Sequence, residues 1–323
     1  MEPSDALIPA ADRPKRHCRT IAIVLTGFTV GLASVLLILL VLFVGETDCD
    51  GGTEYNLTDG WSTSGEFAPL YDWEGDTVVE PALVTVGNTT HMFYRAGWGR
   101  RVQATIGHAK LLNSAWQRAP FPLFDGAQPW VRHTDKFEIF YTHPTEAVAV
   151  ATSTDAVYWN HTILNLPQPD GWRGWGNRAI LSAPDSKRGC EVLYQEVKIE
   201  KDGGEVWEIF IYEHRAVYTL AGRLTLPRPL NCGMYGGITF EHHDTFTKVW
   251  YHAALASGNL PTAIFSVTTT DMETWHNFTC EVATPFNHDQ AADPIMHNGI
   301  LYYDVDDNSA ERARIRWAVR EDF

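Results

Sequence analysis

The stretch VATSTDAVYW (Val150 to Trp159) returns as VTTTDMETW (Val267 to Trp275), with Thr, Asp, three residues and Trp in the same order. A repeated ending restricts the chain to architectures assembled from copies of one unit. The openings repeat as well. EPALVTVGNTTHMFYRAG (Glu80 to Gly97) leads through ATIGHAKLL to Trp116, and QPWVRHTDKFEIFYTH (Gln128 to His143) leads through AVAVATSTDAVYW to Trp159. A fourth copy opens with GGITFEHHDTFTKVWYHA at Gly236, and a fifth with DPIMHNGILYYDV at Asp293, running on to RIRWAVRE. EVKIEKDGGEVWEIFIYE (Glu196 to Glu213), followed by AVYTLAGRLTL, fits between them as a divergent third.

Within each unit, short runs of β-branched and aromatic residues are separated by Gly, Pro, Asn and Asp, the pattern of antiparallel strands and tight turns. Four such strands repeated every ~40–50 residues make propeller blades, so the expected fold is all-β, a five-bladed β-propeller. A β-sandwich with accidental internal likeness is the competing architecture. The recurring [ST]-T-D-x-x-x-W and the Pro after the opening residue favour blades. At 45% hydrophobic and 12% aromatic residues, the composition supplies the apolar faces that stacked blades need.

Taken together, an acidic residue plus Pro, a strand, a Gly turn, then "MFY", "IGHAK" or "VAVATSTD" and a late Trp resemble the five-bladed propeller glycosidases. These are glycoside hydrolase families 43, 32 and 130 and their relatives. The resemblance runs from Glu80 to Arg320 and implies a carbohydrate-active domain with a glycan or glycoprotein ligand and no cofactor. In a propeller the innermost strands aim their first residues at the axial funnel, which singles out Glu80, Gln128, Glu196, Gly237 and Asp293. Glycoside hydrolysis uses one carboxylic acid and one carboxylate, and crowding acids in a buried funnel raises the pKa of one of them. Glu80, Glu196 and Asp293 are therefore the candidate catalytic residues, with Asp293 as base and Glu196 as acid. Families 43 and 32 carry Asp, Asp and Glu on the first three blades. Gln128 stands where one of those carboxylates would be, so the usual set is incomplete.

Gln128, Arg95, Trp98, Trp172 and Trp175 are candidate sugar contacts, because exposed Trp and Arg stack on sugar rings and bond hydroxyls. Packing at blade junctions is the alternative use of these tryptophans. Asp155 and Asp271 belong to the repeated turn and are expected to bond its backbone. No metal site is expected: His242 and His243 are neighbours, which point to opposite faces of a strand, and the other histidines are scattered.

From Ile21 to Val44 the chain carries no charge. At ~1.5 Å per residue this segment crosses a hydrocarbon core of ~30 Å, and it exceeds the ~7–15 apolar residues of a cleavable signal peptide. Arg13, Lys15, Arg16 and Arg19 precede it and Glu46, Asp48, Asp50 and Glu54 follow it, which places the N-terminus in the cytoplasm. The expected organisation is a cytoplasmic tail (1–20), a type II signal anchor (21–44), a stalk (45–66) and the propeller (67–323). Its ectodomain would be extracellular or lumenal. The net charge of −15 belongs to that ectodomain, since the tail is slightly basic. A strongly acidic domain excludes nucleic acid as a partner.

Asn56, Asn88, Asn160 and Asn277 each begin an N-x-[ST] sequon on the same side of the anchor. Cys49, Cys190, Cys232 and Cys280 also lie there, in an oxidising compartment, with three possible pairings. Gly27 and Gly31 form a G-x-x-x-G inside the anchor, and together with Cys49 in the stalk they make a homodimer the expected assembly. Two functions fit these features: a membrane-anchored glycosidase-like enzyme, or a non-catalytic attachment glycoprotein that binds glycans or a receptor on a cell or an enveloped virus.

Overall fold

A computed structural model describes residues 56–57, 61–97, 103–182, 188–227, 234–254, 262–283, 289–307 and 312–320. Its strands form five antiparallel sheets, with chain neighbours adjacent except where N-terminal strands join the edges of two of them. Blade 1 is Val78–Val86, Thr89–Ala96, Thr105–Leu112 and Ala115–Arg118, and blade 2 is Ala127–His133, Phe137–His143, Ala147–Ser153 and Asn160–Ile163. Blade 3 is Trp172–Leu181, Glu191–Lys201, Gly204–His214 and Tyr218–Leu224. Blade 4 is Tyr235–His242, Thr247–Ala254, Thr262–Thr269 and His276–Ala283, with Asn56–Leu57 added at its edge. Blade 5 is Asp289–His297, Ile300–Asp307 and Arg312–Arg320, and its outer strand is Trp61–Phe67.

That last strand closes the circle. Residues 61–67, of which sequence leaves 61–66 to the stalk, pair with the C-terminal strand from Trp61↔Arg320 to Phe67↔Ile315. The first strands of successive blades touch all the way round, blade 5 against blade 1 included, and so line a common axis.

Five buried clusters hold the blades together, one at each junction. Near-continuous buried runs such as Val78–Leu83 and His91–Tyr94 explain them, because both faces of a blade must be apolar to pack on two neighbours. Phe93 of blade 1 meets Ile139 of blade 2, for example, and Trp250 of blade 4 meets Leu301 of blade 5. The repeat tryptophans sit at these seams: Trp159 packs edge-on against Phe93 and Phe124, and Trp116 against Phe67 and Tyr302.

The turns before Trp159 and Trp275 are built as their sequence implies. Asp155 Oδ1 accepts the amides of Val157 and Tyr158, and Asp271 Oδ1 accepts those of Glu273 and Thr274. Ser153 and Thr269 complete the same motif from the strand end. Ala156 and Met272 take the left-handed backbone it needs (φ 59° and 63°).

The third blade departs from expectation. Its innermost strand is Trp172–Leu181, and Glu196 lies on the second strand instead of opening the first. Disulfide pairing is only partly visible. Cys49 and Cys232 lie outside the described residues; Cys190 and Cys280 are buried, no disulfide joins these two, and Cys280 is disulfide-bonded. The tail, the apolar segment 21–44, Gly27, Gly31 and Trp98 also lie outside the described residues. Among those described, no helix is long and apolar enough to cross a membrane. Asn88, Asn160 and Asn277 are exposed.

One junction carries a titratable pair. His91 Nδ1 and His108 Nε2 lie 3.0 Å apart at the blade 1–2 seam, with His108 stacked on Phe93 and His91 against Phe137. Burial, reinforced by Lys110, lowers His91 to about 4; burial, His91 and Lys110 lower His108 to about 3. Both rings are neutral at pH 7 and resist protonation, whereas the unfolded chain takes up protons from about pH 6.5. Stability is therefore expected to fall as pH drops from 6.5 towards 3. A melting series of wild type against His108→Gln checks this: the difference in pH dependence should be confined to that window.

Candidate active site

Each first strand is interrupted by a bulge at the axis. Register shifts fall between Val79 and Ala82, Ala127 and Trp130, Trp175 and Arg178, Gly236 and Thr239, and Ala292 and Ile295. In four blades the bulged residue has left-handed backbone: Glu80 (φ 55°), Gln128 (54°), Gly237 (56°) and Asp293 (51°). A non-glycine residue rarely adopts this conformation, and three of these four are not glycine. Three equivalent outliers around one axis point to a functional centre. Blade 3 places Gly176-Asn177 at its bulge, and Glu196 lies opposite, where the other blades have the buried Tyr94, Tyr141, Tyr251 and Tyr303.

A bulge turns its amide N–H out of the ladder, and that donor needs an acceptor. Here a side chain of the preceding blade supplies it. Glu80 Oε2 accepts Gln128 N at 2.7 Å, Glu196 Oε2 accepts Gly237 N at 3.1 Å, and His252 Nδ1 accepts Asp293 N at 3.1 Å. Both oxygens of Asp304 accept Glu80 N at 2.8 Å. At the remaining junction, Arg178 Nη2 of blade 3 donates to Thr142 Oγ1 of blade 2 at 2.6 Å, and Thr142 donates to Gln128 Oε1 at 2.8 Å. A ring of polar clasps thus ties all five blades at the axis.

The same ring assembles the three carboxylates singled out in the sequence. Glu80 Oε1 takes a 2.7 Å ion pair from Arg95. Asp293 Oδ1 accepts Asn177 Nδ2 at 2.5 Å and lies 3.2 Å from His252 Nδ1. Glu196 Oε2 accepts the amide of Asn177 at 3.2 Å, so Asn177 bridges Glu196 and Asp293. Glu196 is sandwiched between glycines: a Cβ on Gly176 or Gly236 would overlap its carboxyl group. Glu80, Asn177, Arg178, Gly237 and Asp293 line a small axial cavity of about 10 Å³, with Pro81, Pro129 and Pro294 beside them. Glu196 stands behind Asn177 and Gly237.

Electrostatics divide the acids. Burial, helped by the Asp293 charge, pushes the Glu196 carboxyl up to about 7, with His252 and the two amides opposing. Since Oε2 accepts both amides, the proton belongs on Oε1. Burial likewise raises Glu80 against the pull of Arg95. Burial and the Asp293 charge raise Asp304 well above its ordinary value, and it donates to Asp293, a contact between two carboxyl groups that needs a proton on one of them. For Asp293, burial is overcome by His252, Asp304 and Asn177, which hold it below its ordinary value. His252 Nδ1 cannot accept the Asp293 amide and donate to Oδ1 at once. Protonating it exchanges the amide contact for the ion pair, and in that state Asp293 is held down. The result is an ionised Asp293 beside a Glu196 that is half protonated near neutrality, the division that acid–base chemistry requires.

Several sugar-contact candidates are placed elsewhere. Trp175 is buried against Tyr212 and Phe140 at the blade 2–3 seam, and Trp172 packs on Trp175 at 5.6 Å, so both serve the core. Arg95 and Gln128 do reach the axis, as the partner of Glu80 and the acceptor of Thr142. Sequence reasoning missed Thr142, Asn177, Arg178, His252 and Asp304. A signal for three of these was present: Thr142, His252 and Asp304, like Arg95, directly follow the second-strand Tyr of the repeat.

No protein-family model and no curated protein sequence matches the chain. Solved structures do. A complex of BT0996 with RGII aligns with a TM-score of 0.61 at 13% identity, over 80% of this protein and 92% of that one. The catalytic domain of the Coprinopsis cinerea GH62 α-L-arabinofuranosidase gives 0.58 at 11% identity, over 81% and 96%. A structure from the GH130 family of mannoside phosphorylases, which contains glycoside hydrolases that target β-1,2 mannosidic linkages in Candida mannan, gives 0.54 at 14% identity, over 84% and 98%. What these proteins share with the chain is architecture: it has the five-bladed β-propeller fold of the glycoside hydrolases.

Proposed function

We propose that the propeller is a glycan-acting domain that engages a glycoside at its axis, with Asp293 as base and Glu196 as the proton source. One observation carries this reading: two acids joined through Asn177 have environments that drive one towards ionisation and the other up to about 7. Their separation of protonation states is what a glycosidic bond needs for cleavage at neutral pH. The reading includes a type II anchor at 21–44, supported by the uncharged segment and its flanking charges, with Asn88, Asn160 and Asn277 available for glycosylation on exposed surface. Turnover of a panel of aryl glycosides by the purified full-length protein tests it. Activity that disappears in Asp293→Asn, with folding retained, supports the reading; a folded wild type that turns over and binds no glycoside contradicts it.

A second reading, glycan or receptor binding without catalysis, is favoured by a specific observation. Glu80, Glu196 and Asp304 all hold amides of the next blade, and Gln128 supplies no carboxylate. Saturable binding with no turnover is the outcome that would select it.

A further inference from the structure

Arg178 is 3% exposed and follows the blade 3 bulge. Its Nη2 is fully used, donating to Thr142 Oγ1 and to the carbonyl of Gly176 at 2.9 Å. Its Nε and Nη1 have no partner among the described residues. Unmet donors on a buried charged group are costly, so a group lining a cavity in this state implies an acceptor that arrives from outside. Burial lowers Arg178 only to about 9, against the raising influence of Glu80 and Glu196, so it is a cation at neutral pH.

The cavity it lines limits that acceptor in two ways. About 10 Å³ admits one water-sized group and no sugar ring. Asp293 forms part of the same wall, and its ionised carboxylate opposes a carboxylate or phosphate oxygen. A hydroxyl satisfies both conditions, because it accepts from the guanidinium and donates to a carboxylate.

We propose that Arg178 and Asp293 form a single-hydroxyl subsite at the propeller axis, which selects an uncharged sugar and rejects its acidic counterpart. The proposal rests on the glycan-acting reading above and adds a specificity to it. The hydroxyl enters the axial cavity, accepts from Arg178 and donates to Asp293, while the ring stays outside.

Calorimetric titration of the full-length protein with methyl glycosides, the matching uronic acids and the monodeoxy analogues of the best ligand tests this. Wild type should favour the uncharged glycoside, and one monodeoxy analogue should bind at least ~10-fold more weakly than its parent. In Arg178→Met the parent should weaken by a similar factor and the deoxy penalty should vanish. Arg178→Lys, which keeps a buried cation, serves if the Met variant fails to fold, and the deoxy series needs only wild type. Equal or tighter binding of uronic acids, or a deoxy penalty unchanged in the variants, overturns the subsite and leaves the glycan reading standing. A folded wild type that binds no sugar overturns both.

Discussion

Glu196→Gln is expected to be more stable than wild type at pH 8 while losing ~10²–10⁴-fold of any glycoside turnover, the usual contribution of a general acid. The stability gain follows from linkage. Glu196 titrates at about 7 in the folded protein against 4.5 unfolded, so the folded state holds its proton more tightly. Its contribution is therefore intact below pH 4.5, declines as pH rises through the window to about 7, and stays low above it. A shift of that size corresponds to about 3 kcal/mol. Glutamine keeps a carbonyl oxygen for the amides of Asn177 and Gly237 and never ionises. Wild-type melting temperature should thus drop relative to the variant by on the order of 5–10 °C between pH 4.5 and 8. A parallel pH dependence in the two proteins would contradict this assignment.

Gly236→Ala is expected to be among the most damaging single-methyl changes in the domain. A Cβ there would overlap the Glu196 carboxyl group, which is already pressed between the bulges of blades 3 and 4. The carboxyl is held there by the amides of Asn177 and Gly237, so making room for the methyl breaks those bonds. Overpacking of this kind costs about 1–3 kcal/mol, and displacing Glu196 also removes the acceptor of the Gly237 amide, for another ~1–3 kcal/mol. Gly174→Ala is the control. Its Cβ would meet only Lys198 Cβ at 4.0 Å, so the same chemical change should be tolerated. Thermal melts of the two variants decide the matter, and similar losses in both would show that the glycine at 236 is not needed to admit Glu196.

Blade existence was legible because the runs of β-branched and aromatic residues and the Asp turns are local: Ser153, Asp155, Thr269 and Asp271 bond their own neighbourhoods. Four of the five axial residues were legible too, since Glu80, Gln128 and Asp293 precede a proline and Gly237 is a glycine in the matching place. Asn177 was not, because blade 3 has no such proline and its bulge is buried in a tryptophan-rich run. For that run sequence leaves two uses open, sugar contact and packing at blade junctions: whether Trp172 and Trp175 face solvent or a neighbouring blade depends on packing that no local pattern encodes. Glu196 was assigned to the wrong strand yet belongs to the axis, because the second strand carries the clasping side chains. His252 and Asp304 went unnoticed for the same reason. Their role is to hold an amide on another blade, and only closure of the ring brings the two together.

Carboxyl titration of the full-length protein by ¹³C NMR, with resonances assigned through Glu196→Gln and Asp293→Asn, is the most direct test of the divided acid pair. One glutamate should titrate at about 7 and be missing from the Glu196 variant, while Asp293 should remain ionised below its ordinary 3.8. A Glu196 that titrates at 4.5, or an Asp293 that titrates above Glu196, would contradict the account.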